Sequence, residues 1–493
     1  MALIKIDLNR VVTEVDRRIL GGFAEHVGRC IYGGVYEEGS PLADEHGFRT
    51  DVIEAVRRLK PTVLRWPGGN FASGYHWVDG IGPKDQRPRR MDLSWHAEES
   101  NRFGTDEFLT YCAAVGAEPY ICLNMGTGTV DEAQAWMEYC NGTGRTEWAD
   151  RRRENGHEEP YKVRYWGLGN ELYGWWQIGQ KSAEDYVKDA REYAKVLSWT
   201  DPEAELVSCG ELGWTDWDVK VIDGLAAFVR WHSIHLYTGS DDYWQNLAAP
   251  LQAERALRIV AALVEKTRYN QRISHPVNIA LDEWNVLFRY RNSAAALEGR
   301  YSLADALAVA TFVHAFVRYA SIVKMANLAQ LVNVIAPIVT NSEGLFLQSI
   351  YHPLRLFADH LGPSVLDVYV DCDRQEISED PNPGEFSNRV TDLGPFAVLD
   401  AIATFSEADH KLMLSVINRS PDTDVTAELS FSGTHDMKDV IFEEVNGEDW
   451  DSANSFDHPD AVSVSVREGQ VLTDGTRYRF PAHSMTMLSA ICE

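Results

Sequence analysis

From about residue 19 to about residue 335 the chain alternates short β-branched or apolar runs with longer segments whose apolar positions recur every three or four residues. Eight runs read as strands: 19–27, 62–69, 118–126, 163–171, 204–211, 228–237, 277–285 and 325–334. Amphipathic stretches at 51–60, 105–116, 182–199 and 301–320 lie between them as helices. In 182–199, Tyr186, Ala190, Tyr193, Ala194 and Leu197 share one face, and Ser182 with Asp185 three residues on resembles a capping box. Eight strand-helix units in this length predict a closed (β/α)8 TIM barrel. An open dinucleotide-binding sheet needs a G-x-G-x-x-G turn after its first strand, and GGFAEHVG lacks it.

Beyond about residue 365 the period changes to two. Val425, Ala427, Leu429 and Phe431 fall on one face, as do Val462, Val464 and Val466, and Asp474-Gly475 suits a hairpin turn. This texture predicts a C-terminal antiparallel β-sandwich, jelly-roll-like, of roughly 120 residues. The opening LIKIDL alternates in the same way. The expected division is a barrel over 15–365 and a sandwich over 366–493, completed by an N-terminal strand from 1–14. The stretch 371–388 reads as a polar junction loop, without the spacing of a calcium-binding loop.

A formal net charge of -28 argues against nucleic acid and anionic membrane surfaces as partners. No apolar run approaches the ~20 residues that span a bilayer, and the N-terminus lacks the apolar core of a secretory signal. Seven cysteines are scattered without metal-ligand spacing, which suits a reducing cytoplasm.

Sites in TIM barrels lie at the carboxyl ends of the strands, and there the predicted strands carry polar groups. The first ends in Glu25 and His26, the second holds Arg65 and then Asn70, and the third offers Asn124. The fourth ends in Asn170 and Glu171, the sixth in His235 and Tyr237, and the seventh in Asp282, Glu283, Trp284 and Asn285. A buried carboxylate costs several kcal/mol unless it is paired, so a lone glutamate of this kind is as readily a structural ion-pair member as a functional group. Two of them, on strands four and seven of a closed ring, can face each other across the mouth, which is the arrangement glycosidic cleavage needs. Tyr237 and Arg65 can hold Glu283 ionised, whereas a more apolar setting for Glu171 would keep it protonated. Trp66, Trp95, Trp175, Trp176 and Trp284 fall near strand ends, where rings can stack on sugars or simply fill the core. His232 and His235 should point to opposite faces of their strand, which argues against joint metal ligation.

The stretches LRWPGGNFASGYHWVDGIGPKDQRPRRMDLSW (64–95), YWGLGNE (165–171) and LDEWN (281–285), supported by HLY and NVIAPI, resemble the retaining α-L-arabinofuranosidases of glycoside hydrolase family 51 over nearly the whole chain. The resemblance implies Glu171 as general acid/base and Glu283 as nucleophile. It implies Glu25, Asn70, Asn170 and Gln348 as ligands of furanose hydroxyls, Arg65 and Tyr237 as supports of the nucleophile, and His235 and Trp95 at the substrate. SEGLFLQSIYHP departs from the family pattern around Gln348. The resemblance also implies no metal or organic cofactor, arabinofuranosyl-bearing oligosaccharides as substrates, and a homo-oligomer, often a hexamer. Other readings of the same residues are a retaining β-xylosidase or endo-β-glucanase on this scaffold, and a non-catalytic carbohydrate-binding protein.

Overall fold

The computed structural model describes residues 2–287, 297–379, 389–433 and 436–492. Eight parallel strands close into a barrel: Gly21–Phe23, Val63–Trp66, Glu118–Cys122, Tyr165–Leu168, Glu205–Ser208, Trp231–Thr238, Asn278–Val286 and Val323–Ala329. Each lies within or overlaps one of the eight predicted runs. Several are shorter, because the chain leaves the sheet where its polar residues begin. Inside the ring, Val63, Tyr120, Tyr165, Val207, Trp231, Ala280 and Met325 form a separate buried cluster, so the barrel has an apolar floor and no pore.

The helices occupy the predicted places. Ala183–Thr200 buries Tyr186, Ala190, Tyr193, Ala194 and Leu197, and Ser182 Oγ accepts from the Asp185 amide at 3.2 Å. Leu303–Arg318 is buried almost all round. On one side Phe312 and Phe316 pack on Trp284, with ring centroids at 5.1 and 5.0 Å. On the other side the helix meets the second domain.

That domain is a curled sheet in which the N-terminal strand Ala2–Glu14 lies between Ser364–Asp371, antiparallel, and Val425–Ser432, parallel. Val425 is half-buried, and Ala427, Leu429 and Phe431 face inward as the alternation requires. The second alternating run is an edge strand: Val462 is buried, Val464 half-buried and Val466 66% exposed, because among the described residues no strand pairs with its far side. Gly475 turns at φ +81°, but Asp474-Gly475 is not the expected hairpin. Leu472–Thr473 pairs with Asp436–Gly447, whereas Thr476–Phe480 pairs with Val425–Ser432 at the other end of the sheet. A two-residue turn therefore joins opposite ends of the sheet, which must fold over itself. Phe442 and Tyr478, from those two ends, stack at 4.4 Å. Within the predicted junction loop, Arg374–Gln375 forms a short strand, and 380–388 lie outside the described residues.

The two domains are joined by a buried ionic cluster. Asp400 on the sandwich accepts from Arg419 Nη2 at 2.7 Å and pairs with Arg318 and, at 3.1 Å, with His314 Nδ1, both on helix 303–318. His314 Nε2 lies 2.8 Å from Ser415 Oγ. Burial opposes the Asp400 charge, but the two arginines and His314 outweigh it and hold the carboxyl well below its ordinary range. Replacing Asp400 by Ala leaves the buried Arg419 without its carboxylate and strips the half-buried Arg318 of one of its two, the other being Glu254 at 2.9 Å, so unfolding in urea should show a loss of about 3 kcal/mol. Because the folded value is depressed, this contribution is present above about pH 4 and vanishes as the pH falls further. The stability difference between wild type and Asp400→Ala should accordingly shrink on acidification.

Candidate active site

Glu171 does not continue its strand. The strand stops at Leu168, Gly169 takes φ +82° and Glu171 takes φ +44°, so GLGNE is a sharp turn that the chain makes as it leaves the barrel. A non-glycine residue in the left-handed region is strained by about 1 kcal/mol or more, a feature that clusters at functional sites. The turn sends Asn170 toward Arg65 and turns the Glu171 carboxylate to the mouth. There it accepts from Trp176 Nε1 at 2.7 Å and Tyr173 OH at 3.2 Å, both from the loop that follows.

Asp282 and Glu283 are neighbours on one strand and would ordinarily point to opposite faces. The register against both flanking strands slips between residues 280 and 284, and this irregularity turns both carboxylates into the barrel. Asp282 accepts from Tyr120 OH at 2.7 Å and from Ser233 Oγ, which ties it to the apolar floor. Glu283 sits one step higher, with Oε1 accepting from Arg65 Nη1 at 2.6 Å and Oε2 from Tyr237 OH at 2.9 Å. Arg65 is 1% exposed; its Nη2 donates to Asn170 Oδ1 at 2.6 Å and its Nε lies 3.6 Å from Asp282.

His235 is wedged among three carboxylates. Nδ1 lies 2.9 Å from Glu171 Oε1 and 3.6 Å from Glu283 Oε2, and Nε2 lies 3.3 Å from Asp282 Oδ1. Burial disfavours a charged imidazole, but Glu283, Asp282 and Glu171 prevail and raise its pKa to about 10. The same contact, with the bonds from Trp176 and Tyr173, overcomes burial and lowers that of Glu171. The Glu171–His235 pair thus holds one proton at neutral pH, resting on the imidazole. Glu25 behaves oppositely: burial and the nearby Glu283 push it up to about 7, although Phe71 N, Trp95 Nε1 and Gln330 Nε2 all donate to it at 3.0–3.1 Å.

These groups line or underlie a cavity of about 320 Å³ whose walls include Glu25, Asn70, Trp95, Glu171, Trp176, Tyr237, Glu283 and Gln330. One oxygen of Glu171, one of Glu283 and a nitrogen of His235 all lie within 4.8 Å of one another. Two carboxylates and an imidazole could in principle hold a cation. Here Arg65 and Tyr237 already occupy Glu283, and the imidazole is protonated, so the trio reads as a proton-sharing acid pair.

The chain matches the sequence family described as the alpha-L-arabinofuranosidase 1 domain over residues 55–255 and that of the alpha-L-arabinofuranosidase C-terminal domain over 282–484. A probable alpha-L-arabinofuranosidase C of Aspergillus clavatus is 41% identical, over 98% of this chain and 96% of that protein. The chain belongs to glycoside hydrolase family 51, the α-L-arabinofuranosidases. The family 51 enzyme of Thermotoga petrophila superposes with a TM-score of 0.91 at 39% identity, over 99% of this chain and all of that one. An α-L-arabinofuranosidase from Thermotoga maritima, in an arabinose complex, gives the same TM-score and identity, with 99% of each chain covered. An intracellular exo-alpha-(1->5)-L-arabinofuranosidase 1 of Bacillus subtilis is 34% identical, over 98% of this chain and 97% of that protein.

Within this family 51 site, most of the expected residues converge, and three are placed otherwise than expected. Gln348 is not on the cavity wall: its Oε1 accepts from Tyr301 N, and its Nε2 donates to the Gly299 and Ala336 carbonyls, so backbone groups take up its amide. His235 is not on the cavity wall either, and both its nitrogens face carboxylates. Glu171 lies in a polar setting rather than an apolar one. Asn170 sits behind Gly69, held by Arg65 and facing Gln177 at 3.4 Å. Of the tryptophans, Trp66 and Trp284 are core, while Trp95, Trp175 and Trp176 line the cavity. His232 points away from the site to Asp218 and Ser208. Gln330 was not anticipated, and its only sequence signal is its place directly after the last barrel strand.

The two glycines of WPGG allow this packing. A Cβ on Gly68 would lie 2.6 Å from Glu25 Cγ, and one on Gly69 would lie 2.9 Å from Glu283 Oε1. Gly69→Ala should therefore displace the Glu283 carboxylate and lower kcat about 100-fold, since misplacements of about 1 Å have that effect. Its melting temperature should stay within a few degrees of wild type, as calorimetry can check.

Proposed function

We propose that the protein is an exo-acting retaining α-L-arabinofuranosidase that removes terminal arabinofuranosyl units from arabinan- and arabinoxylan-derived oligosaccharides. The observation that carries the retaining assignment is the approach of Glu171 and Glu283 to within 4.8 Å. Double displacement needs carboxyl groups about 5–5.5 Å apart, whereas an inverting enzyme needs about 6.5–9.5 Å. Family membership and a walled cavity of about 320 Å³ support the sugar and the exo mode. We further place the protein, as a homo-oligomer, in the cytoplasm: its seven cysteines are all free thiols, and family likeness supports assembly.

In this reading an oxygen of Glu283 attacks the anomeric carbon while the bond to the aglycone oxygen breaks. Arg65 and Tyr237 each take one Glu283 oxygen and aim the carboxylate. The proton shared by Glu171 and His235 passes through Glu171 to the departing oxygen. In the second step Glu171 takes a proton from water, which attacks the same carbon and releases Glu283. Glu25, Asn70, Trp95 and Gln330 hold the furanose, with Glu25 anchored by three donors.

Glu283→Ala should abolish turnover, and added azide should yield a glycosyl azide of inverted configuration; wild-type-like activity would remove Glu283 from the mechanism. Glu171→Ala should spare aryl arabinofuranosides with acidic leaving groups far more than sugar-linked substrates, because only the latter need the proton. A panel of aryl α-L-arabinofuranoside, aryl β-D-xyloside and soluble glucan, with NMR of the first-formed anomer, tests sugar and stereochemistry together. Preference for the xyloside or glucan would transfer the site to another retaining glycosidase. Sugar binding without product would make it a binding protein.

A further inference from the structure

A second cavity, of about 610 Å³, adjoins the first where barrel and sandwich meet. Leu287, Leu297 and Ile335 line both, so the larger space begins where the smaller one ends. Its walls include Tyr243 and Asn246 from the helix after the sixth barrel strand, Glu298, Gly299 and Arg300 from the segment leading to helix 303–318, and Trp450 from the sandwich.

The sandwich loop is fixed to the barrel by backbone bonds. Ala304 N donates to the Trp450 carbonyl at 2.9 Å, and Leu303 N donates to that of Ser452 at 2.8 Å. Arg300 Nη2 donates to the Asp451 carbonyl at 2.6 Å. The indole of Trp450, half-buried, packs on Tyr243 with ring centroids 5.1 Å apart. Asn246 is 4% exposed; its Nδ2 donates to Asp305 at 2.8 Å, while its Oδ1 has no partner among the described residues. Gln348 also finds its place here, since its amide pins the backbone of Gly299 and Tyr301 at the rim.

We infer that this second cavity binds the part of the substrate that is not cleaved, the glycan chain to which the arabinofuranosyl unit is attached. The inference rests on the arabinofuranosidase reading above. A carbohydrate fits the mixture of aromatic rings, amide and charged groups, and the cavity is nearly twice the volume of the first. The class is a neutral glycan: the lining sets Asp241, Glu298, Asp305 and Asp451 against one cation, Arg300, on a chain of net charge -28, a balance that disfavours uronic acids. The sandwich thereby contributes a specificity-determining residue, Trp450, to a reaction carried out by the barrel.

The test compares kcat/KM on an arabinofuranosylated xylotriose or arabinotriose with kcat/KM on an aryl α-L-arabinofuranoside, in wild type, Trp450→Ala and Gly299→Leu. A Cβ on Gly299 meets no atom of the described residues within 4 Å, so a leucine there starts from open space and extends into the cavity it lines. The ratio of the two constants does not depend on the fraction of folded enzyme, so a stability loss cannot imitate the effect. A fall of tenfold or more in the oligosaccharide-to-aryl ratio in either variant supports the inference. A ratio within threefold of wild type in both variants overturns it. Failure of wild type to cleave the aryl arabinofuranoside would instead overturn the functional reading on which it rests.

Discussion

The site depends on one buried cation. Arg65 stands on the second barrel strand, sealed from solvent, and its guanidinium spans Glu283, Asn170 and Asp282. Glu25, Glu171 and Glu283 crowd one mouth with Asp282 directly beneath, and four carboxylates so grouped cannot all be ionised without compensation. Arg65 supplies one positive charge and protonated His235 a second. Glu25, pushed up to about 7, relieves part of the remainder by taking up a proton near neutrality. The neighbouring acids lie inside the barrel because these two cations and this one adjustable acid are there.

Charge balance also explains why the two glutamates differ. Glu283 is held by a permanent cation and a phenol, both fixed by barrel strands, so its two oxygens have fixed places. Glu171 shares its proton with an imidazole 2.9 Å away, an arrangement in which the proton can change hands at small energetic cost. A nucleophile and an acid/base are thus distinguished by which neighbour each has: one that never titrates, and one that can.

Much of this was legible in the chain. Period-two and helical spacing located all eight barrel strands, and reading the polar residues at their ends led directly to Glu25, Arg65, Glu171, Tyr237 and Glu283. What escaped has physical causes. The inward turn of Asp282 comes from a local register slip, which alternation alone cannot show. The polar surroundings of Glu171 come from Tyr173 and Trp176, brought back by a turn whose left-handed residues include the glutamate itself. Gln348 enters as a sugar ligand only through the family resemblance, in a segment, SEGLFLQSIYHP, that departs from the family pattern. Its three backbone partners become neighbours only once distant segments are folded together. Val466 alternates correctly yet stands in solvent, since periodicity does not reveal which strand ends up at an edge.

The placement of the first strand has a consequence for biosynthesis. Residues 2–14 are translated before the entire barrel, yet both of their sheet partners, 364–371 and 425–432, are translated after it. Throughout elongation this segment is a strand with two unsatisfied edges and alternating apolar side chains, the kind of surface that recruits other chains. Vectorial folding of the small domain is therefore impossible. The nascent chain must keep this strand harmless until segments 350 or more residues later arrive to pair with it.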